Sequence, residues 1–239
     1  MIKEIRTKQK DTFDTMNNTL EQIDIEQLNK EFIQLTPHQR VEKLYEIFPH
    51  DEIMLTSSFA ATSAMLLKVF SDVNKEQIVY FIDTGYHFKE TLIYKEYLTQ
   101  LYDLNVISIG AEADKHKFTS DDQTWSKNPD FCCSINKVEP LQGLKEKHTV
   151  WVSGLMKWQS NHRSSLDFFE QRNGILKFYP LLDVTSEGRE SWIKDHHLPF
   201  HPLISKGYYS IGCTHCTAPG EGREGRWNNS PKTECGLHL

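Results

Sequence analysis

Four short apolar runs set the strongest limit on what this chain can fold into. They are residues 53–56 (Ile-Met-Leu-Thr), 78–82 (Ile-Val-Tyr-Phe-Ile), 106–109 (Val-Ile-Ser-Ile) and 149–152 (Thr-Val-Trp-Val). Each is too short for a helix and reads as a buried strand. Helix-patterned stretches at 60–70 and 89–101 separate the first three. A further helix is predicted at 186–196, with Ser186 as its cap and Glu187 in its first turn. Strands alternating with helices predict an α/β fold with a doubly wound, mostly parallel sheet. Sites in such sheets lie beyond the carboxyl ends of the strands. Here those ends are Ser57-Ser58, Asp83-Thr84-Gly85 and Ser153-Gly154.

The flanks differ from this centre. Residues 1–50 read as a polar helical segment with apolar marks at Ile23, Ile25, Leu28, Phe32, Ile33 and Leu35. Pro37 suits the first turn of a helix running to about residue 48. Residues 51–200 form the α/β domain. Residues 201–239 lose periodicity and read as an irregular, mobile C-terminal arm. The chain has 239 residues, ample for a real core. Its net charge of −6 argues against non-specific nucleic-acid binding, though not against a local basic pocket. No run is long enough to span a membrane, and the N-terminal stretch lacks the apolar core of a secretory signal. A cytoplasmic address follows, where thiols stay reduced. Cysteine groups are then metal-binding or catalytic sooner than disulfides.

The five cysteines fall as an adjacent pair, Cys132-Cys133, then Cys213-x-x-Cys216, then a lone Cys235 near the end. Neighbouring cysteines make a strained disulfide. Four thiols in two close groups suit either a zinc ion or an iron–sulfur cluster, and spacing alone leaves both open. Segment 55–64 (Leu-Thr-Ser-Ser-Phe-Ala-Ala-Thr-Ser-Ala) joins the first strand to its helix, where hydroxyls and amides can bind an anion. It is neither a P-loop nor a dinucleotide fingerprint.

Three longer motifs narrow the choice. Cys132-Cys133-x-x-x-Lys137-Val-Glu-Pro-Leu141, Ser210-Ile-Gly-Cys-x-x-Cys-Thr217 and Lys232-Thr-Glu-Cys-Gly-Leu-His238 resemble assimilatory adenylyl-sulfate reductases. The resemblance runs from about residue 53 to 238. It includes Ser57-Ser58-Phe59, Asp83-Thr84-Gly85, Phe88-x-Glu-Thr91, Ser153-Gly154-Leu155, Gln159-Ser160 and Arg163. It implies an adenine nucleotide alpha hydrolase-like fold and a 4Fe-4S cluster held by Cys132, Cys133, Cys213 and Cys216. Cys235 is implied to be the nucleophile. Reductases confined to the 3′-phosphorylated substrate keep the terminal motif without the four cluster cysteines. This chain departs from the family at Met156, Lys157 and Trp158, where two basic residues and an acid are usual. It also has Ala60 in place of a glycine and a loop after Cys216 about three residues shorter.

The implied reaction is thioredoxin-dependent reduction of adenosine 5′-phosphosulfate to sulfite and AMP, through an S-sulfocysteine on Cys235, in sulfate assimilation and cysteine biosynthesis. Expected substrate contacts are Ser57, Ser58, Lys137, Gly154, Arg163, Arg223, Arg226 and His238. Arginine suits phosphate and sulfate because its planar fork donates two parallel hydrogen bonds. Lys137 lies four residues after Cys133, one turn away in a helix, where it could serve cluster and substrate together. A homo-oligomer is compatible with the sequence. Three rivals remain. One accepts 3′-phosphoadenylyl sulfate as well or instead. One is an adenylating enzyme of the PP-loop type, whose Gly-Gly-x-Asp loop segment 57–61 lacks. The last is a zinc-stabilised binding module, which leaves Cys235 unexplained.

Overall fold

The computed structural model describes residues 23–227 together with Lys232, Glu234, Gly236 and Leu237. Its centre is a six-stranded sheet in the order β3-β2-β1-β4-β6-β5. The strands are β1 (Ile53–Ser57), β2 (Ile78–Ile82), β3 (Asn105–Ile109), β4 (Val150–Val152), β5 (Phe169–Arg172) and β6 (Ile175–Phe178). All neighbours run parallel except β5, which is antiparallel to β6. Chain order reverses at β1, with β2 on one side and β4 on the other. That reversal opens a crevice at their carboxyl ends.

Alternation along β1 assigns its two faces. Ile53 and Leu55 join the larger apolar cluster, with Phe59, Phe70, Phe81 and Phe178. Met54 points the other way, to Tyr80, Leu141, Trp151 and Ile175. Covered on both faces, β1 is buried throughout. Trp151 keeps its indole satisfied by donating to Thr56 Oγ1 at 2.8 Å.

Among the described residues two helices precede the sheet, α1 (Ile25–Phe32) and α2 (Pro37–Ile47), and residues 1–22 of the expected N-terminal helical segment lie outside them. Thr36 caps α2 in a capping box with Gln39, and Pro37 opens the first turn. Phe32 docks edge-on against Phe169 and Phe178, with centroids 4.7 and 5.5 Å away. Arg40 is buried beside it and forms a two-pronged pair with Asp183 at 2.6 and 2.7 Å. The same guanidinium donates to the carbonyls of Phe32 and Pro180. The N-terminal helices are thus tied to the β5–β6 edge by packing and by charge.

The remaining helices are α3 (Ser63–Val73), α4 (Lys89–Tyr102), α5 (Ala113–Asp121), α6 (Thr124–Lys127), α7 (Pro129–Cys133), α8 (Glu139–Lys145), α9 (Asn161–Ser164) and α10 (Ser186–Asp195). Three details correct the sequence reading. Helix α3 begins at Ser63 rather than near 60, because Phe59 takes a left-handed φ of 48° and Ser63 closes a turn onto the Ala60 carbonyl. Helix α10 is capped by Thr185, whose hydroxyl accepts from Gly188 N, and Ser186 is already helical. The stretch after Cys133 is a π turn, Ser134–Val138, in which Glu139 N reaches back to Ser134 O. The arm is irregular as expected, yet through Trp227 it is packed. Bridges link His87 to Cys213, Tyr208 to Gly220 and Thr217 to Arg226.

His201 anchors the start of that arm. Its Nδ1 accepts from Leu203 N at 3.1 Å, its Nε2 meets Thr91 Oγ1 at 3.1 Å, and its ring packs on Tyr94. Burial pushes its pKa down to about 4. The unfolded chain binds the proton first, so stability should be complete above about 6.5 and should fall as pH drops towards 4. The loss is at most ~3 kcal/mol. Urea titrations between those pH values should show this slope, and the His201→Gln variant should lack it.

Candidate active site

A cavity of about 240 Å³ opens at the crevice between the ends of β1 and β4. Ser57 and Ser58 come from the end of β1, Thr84 from the end of β2, and Ser153 with Gly154 from the end of β4. Lys137 enters from the π turn, and Arg163 from α9. The arm supplies Arg223, Arg226 and Trp227. The predicted contacts Ser57, Ser58, Lys137, Gly154, Arg163, Arg223 and Arg226 therefore share one cavity. Cys235 and His238 lie outside the described residues. Leu237, between them in sequence, lines the cavity.

A second, smaller cavity is lined by Cys132 and Cys133 of α7 and by Cys213 and Cys216 of the arm. The Cys-x-x-Cys wraps a single turn of 3-10 helix, Thr214–Cys216, with Thr214 N donating to Tyr86 O at 2.8 Å. Stacked rings back this nest. His215 lies flat on Trp125 at 4.0 Å and edge-on to Tyr86. Two polar side chains face sulfur: Thr84 Oγ1 stands 3.3 Å from Cys213 Sγ, and Asn136 Nδ2 stands 3.7 Å from Cys132 Sγ. The four thiols are free.

The thiols act on one another electrostatically. Burial, and then the three neighbouring thiols, push the Cys132 pKa up to about 11. Burial also raises Cys216, followed by Cys213 and Cys133, while Lys137 and Arg226 oppose the shift. Four thiolates packed like this need a compensating cation. Among the described residues, no group of His, Cys, Asp and Glu side chains is arranged to hold a single metal ion. A zinc site would draw its sulfurs to about 2.3 Å from one point. Here four thiols line one small cavity, a donor set that a zinc ion or a sulfur-ligated cluster could use.

The two cavities share a wall of Thr84, Lys137 and Cys213. The π turn carries Lys137, and the lysine lines both cavities, the smaller one together with Cys133. Two donors on the arm stand out: Arg226 Nε and Trp227 Nε1 are buried with no hydrogen-bond partner among the described residues. Arg223 and Arg163 are differently placed, because both donate to the buried carboxylate of Glu234. Burial works to raise the Glu234 pKa, but Arg163, Arg223 and Ser160 outweigh it and hold the carboxyl below its usual range. Glu234, Trp227 and Thr84 were not singled out as site residues from sequence. Thr84 had a signal in its strand-end position. Glu234 had its place in the terminal motif, beside Cys235.

The family profile described as "Phosphoadenosine phosphosulfate reductase domain" matches residues 52–219, most of the chain. The chain belongs to this family. With membership comes the enzyme class, an oxidoreductase acting on a sulfur group. The match begins at β1 and ends within the arm, leaving α1 and α2 outside it. Among curated family relatives, an adenosine 5′-phosphosulfate reductase from Mesorhizobium japonicum is 36% identical, covering 86% of this chain and 83% of its own. One from Bacillus cytotoxicus is 38% identical over 79% of this chain and 85% of its own. A phosphoadenosine 5′-phosphosulfate reductase from Gloeobacter violaceus is 32% identical over 92% and 95%. Among solved structures, the phosphoadenylyl-sulfate reductase of Candida auris, in a phosphate complex, superposes with a TM-score of 0.70 at 27% identity. It covers 82% of this chain and 97% of that one. An FMN adenylyltransferase from Candida glabrata shares the fold, with a TM-score of 0.57 at 16% identity.

The arm that carries Arg223 and Arg226 folds through a backbone contact with no spare room. A Cβ at Gly225 would stand 2.0 Å from the Ala218 carbonyl oxygen. Gly225→Ala should therefore open the Thr217–Arg226 bridge while sparing the sheet. Amide exchange at Ala218 and Trp227 should rise by about tenfold or more, with β1 and β2 amides unchanged.

Proposed function

We propose that the chain reduces adenosine 5′-phosphosulfate to sulfite and AMP, with Cys235 as nucleophile and thioredoxin as reductant. The observation that carries this reading is the shared wall of Thr84, Lys137 and Cys213, which sets four converging thiols directly against a cavity lined with arginines and hydroxyls. The names of the relatives supply the substrate class. Similarity to adenosine 5′-phosphosulfate reductases at 36–38% identity favours the nucleotide without a 3′-phosphate. The Gloeobacter violaceus and Candida auris proteins keep the 3′-phosphorylated nucleotide as the second reading.

The nucleotide lies at the carboxyl ends of β1 and β4, with Ser57, Ser58 and Gly154 near its phosphate. Gly154 lets the backbone of this floor pack closely on Leu66, whose side chain would stand 3.2 Å from a Cβ there. Arg226 and Lys137 bring positive charge to the phosphosulfate, and the unpartnered Arg226 Nε is a ready donor to an anionic oxygen. The Cys235 thiolate attacks sulfur. An S–S bond forms, the sulfur–oxygen bond to the phosphate breaks, and AMP leaves with the electron pair. A thioredoxin thiolate then attacks Cys235 Sγ and sulfite departs, the second thioredoxin thiol resolving the mixed disulfide. The two electrons that take sulfur from sulfate to sulfite come from those thiols. His238 is kept as a substrate contact from the motif alone. A reducing, cytoplasmic compartment suits four free thiols.

Cys132, Cys133, Cys213 and Cys216 would hold a 4Fe-4S cluster. When bound, it supplies an inorganic crosslink between α7 and the arm and fixes the charge beside the substrate cavity.

Cys235→Ser should bind AMP as the wild type does and form no adduct with sulfur-labelled nucleotide. Its sulfite production should fall by at least about a thousandfold, since the nucleophile is gone. Intact-mass measurement after single turnover checks the adduct, and assay of both nucleotides ranks the substrates. An absorption shoulder near 400 nm with four irons and acid-labile sulfide is expected of anaerobic protein. Colourless protein with one zinc would overturn the cluster assignment.

A further inference from the structure

We propose that Glu234 is a positioning residue. Its carboxylate clasps the terminal segment onto Arg163 and Arg223, and so sets where the adjoining Cys235 can stand. This rests on the reaction proposed above and adds a residue to it. Both prongs of the carboxylate are used. Oε1 accepts from Arg163 Nε at 3.0 Å and from Ser160 Oγ at 2.9 Å. Oε2 accepts from Arg163 Nη2 at 2.9 Å and from Arg223 Nη2 at 3.2 Å. The pair is fully enclosed, with side chains 1% exposed at Glu234 and 8% at Arg163. Breaking such a pair by removing one partner leaves a buried charge uncompensated, so the segment is strongly held.

Two further contacts fix the same segment. Lys232 pairs with Asp130 on α7, two residues before Cys132. Beyond Glu234, a Cβ at Gly236 would touch Val138 of the π turn at 3.5 Å, and Leu237 packs on the Met54, Tyr80 and Trp151 cluster. The covalent neighbours of residue 235 are thus held on both sides, one by charge and one by apolar packing. Arg163 also donates through Nη1 to Gln159, so each of its three nitrogens has an acceptor within the protein. Its role is to hold the terminal segment. Arg226, with its open Nε, is the arginine left for the substrate anion.

The test is alkylation of substrate-free, full-length protein by iodoacetamide, read by mass spectrometry of the peptide carrying residue 235. Glu234→Gln keeps the shape and removes the charge. It should raise alkylation at Cys235 by about tenfold or more, because losing a buried charge pair frees the segment. AMP affinity should change by less than about twofold, and kcat for sulfite should fall by about tenfold or more with KM little altered. Glu234→Asp should restore part of the protection. Arg163→Lys, which keeps charge and loses the fork, should also speed labelling, and it decides the matter should Glu234→Gln not fold. Unchanged labelling in these variants, or AMP affinity falling with labelling unchanged, overturns the clasp. Labelling needs no turnover, so a wild type that makes no sulfite sinks the reaction and leaves the clasp open to measurement. Normal sulfite production with unchanged labelling does the reverse.

Discussion

A parallel strand buried on both faces can meet the solvent only at its ends, and the rest of this molecule is organised by that constraint. β1 is enclosed along its length, so chemistry is possible only where it stops, at Ser57 and Ser58. The reversal of strand order at β1 leaves a gap no crossover helix covers. The ends of β2 and β4 then bring Thr84 and Gly154 to the same rim. Everything outside the sheet, including the π turn, α9 and the arm, is draped around that rim.

The rim gathers charges that would be costly apart. Four thiols sit together and drive up the Cys132 and Cys216 pKa values, with burial leading. Lys137 and Arg226 oppose that shift at Cys216 from the neighbouring cavity, so the two cavities are coupled by field as well as by shared walls. The buried Glu234 carboxylate takes up positive charge from Arg163 and Arg223. Cations and anions are thereby partitioned: one arginine is open to a ligand, and two are engaged by the protein's own chain.

Much of the frame was legible in the residues. β2 falls where its apolar run predicted, and the helix after Pro37 starts there because proline needs no donor at that position. The β5–β6 hairpin was missed although its signal is strong. Asn173-Gly174 both take positive φ, 53° and 75°, forming the two-residue turn that Asn-Gly favours. Its first strand escaped because Phe169–Arg172 carries three polar residues and only Phe169 is buried, packed on Phe32 of α1. The π turn carries no local mark at all. One extra residue in a turn follows from how α7, α8 and the sulfur nest must fit together. Of the site, the cysteines and arginines declared themselves by motif, and Glu234 lay inside the terminal motif with nothing local to show that Arg163 and Arg223 would be its partners.

By itself, the sequence determined the α/β class, the rim on which the site lies and the two cysteine groups, because strand period and motif spacing are local properties of the chain. The tertiary structure alone decided that the cysteine nest and the larger, arginine-lined cavity share a wall, and that Arg163 faces a carboxylate 71 positions away. Such pairings arise from how layers pack, and no local pattern encodes which buried charge will find which partner.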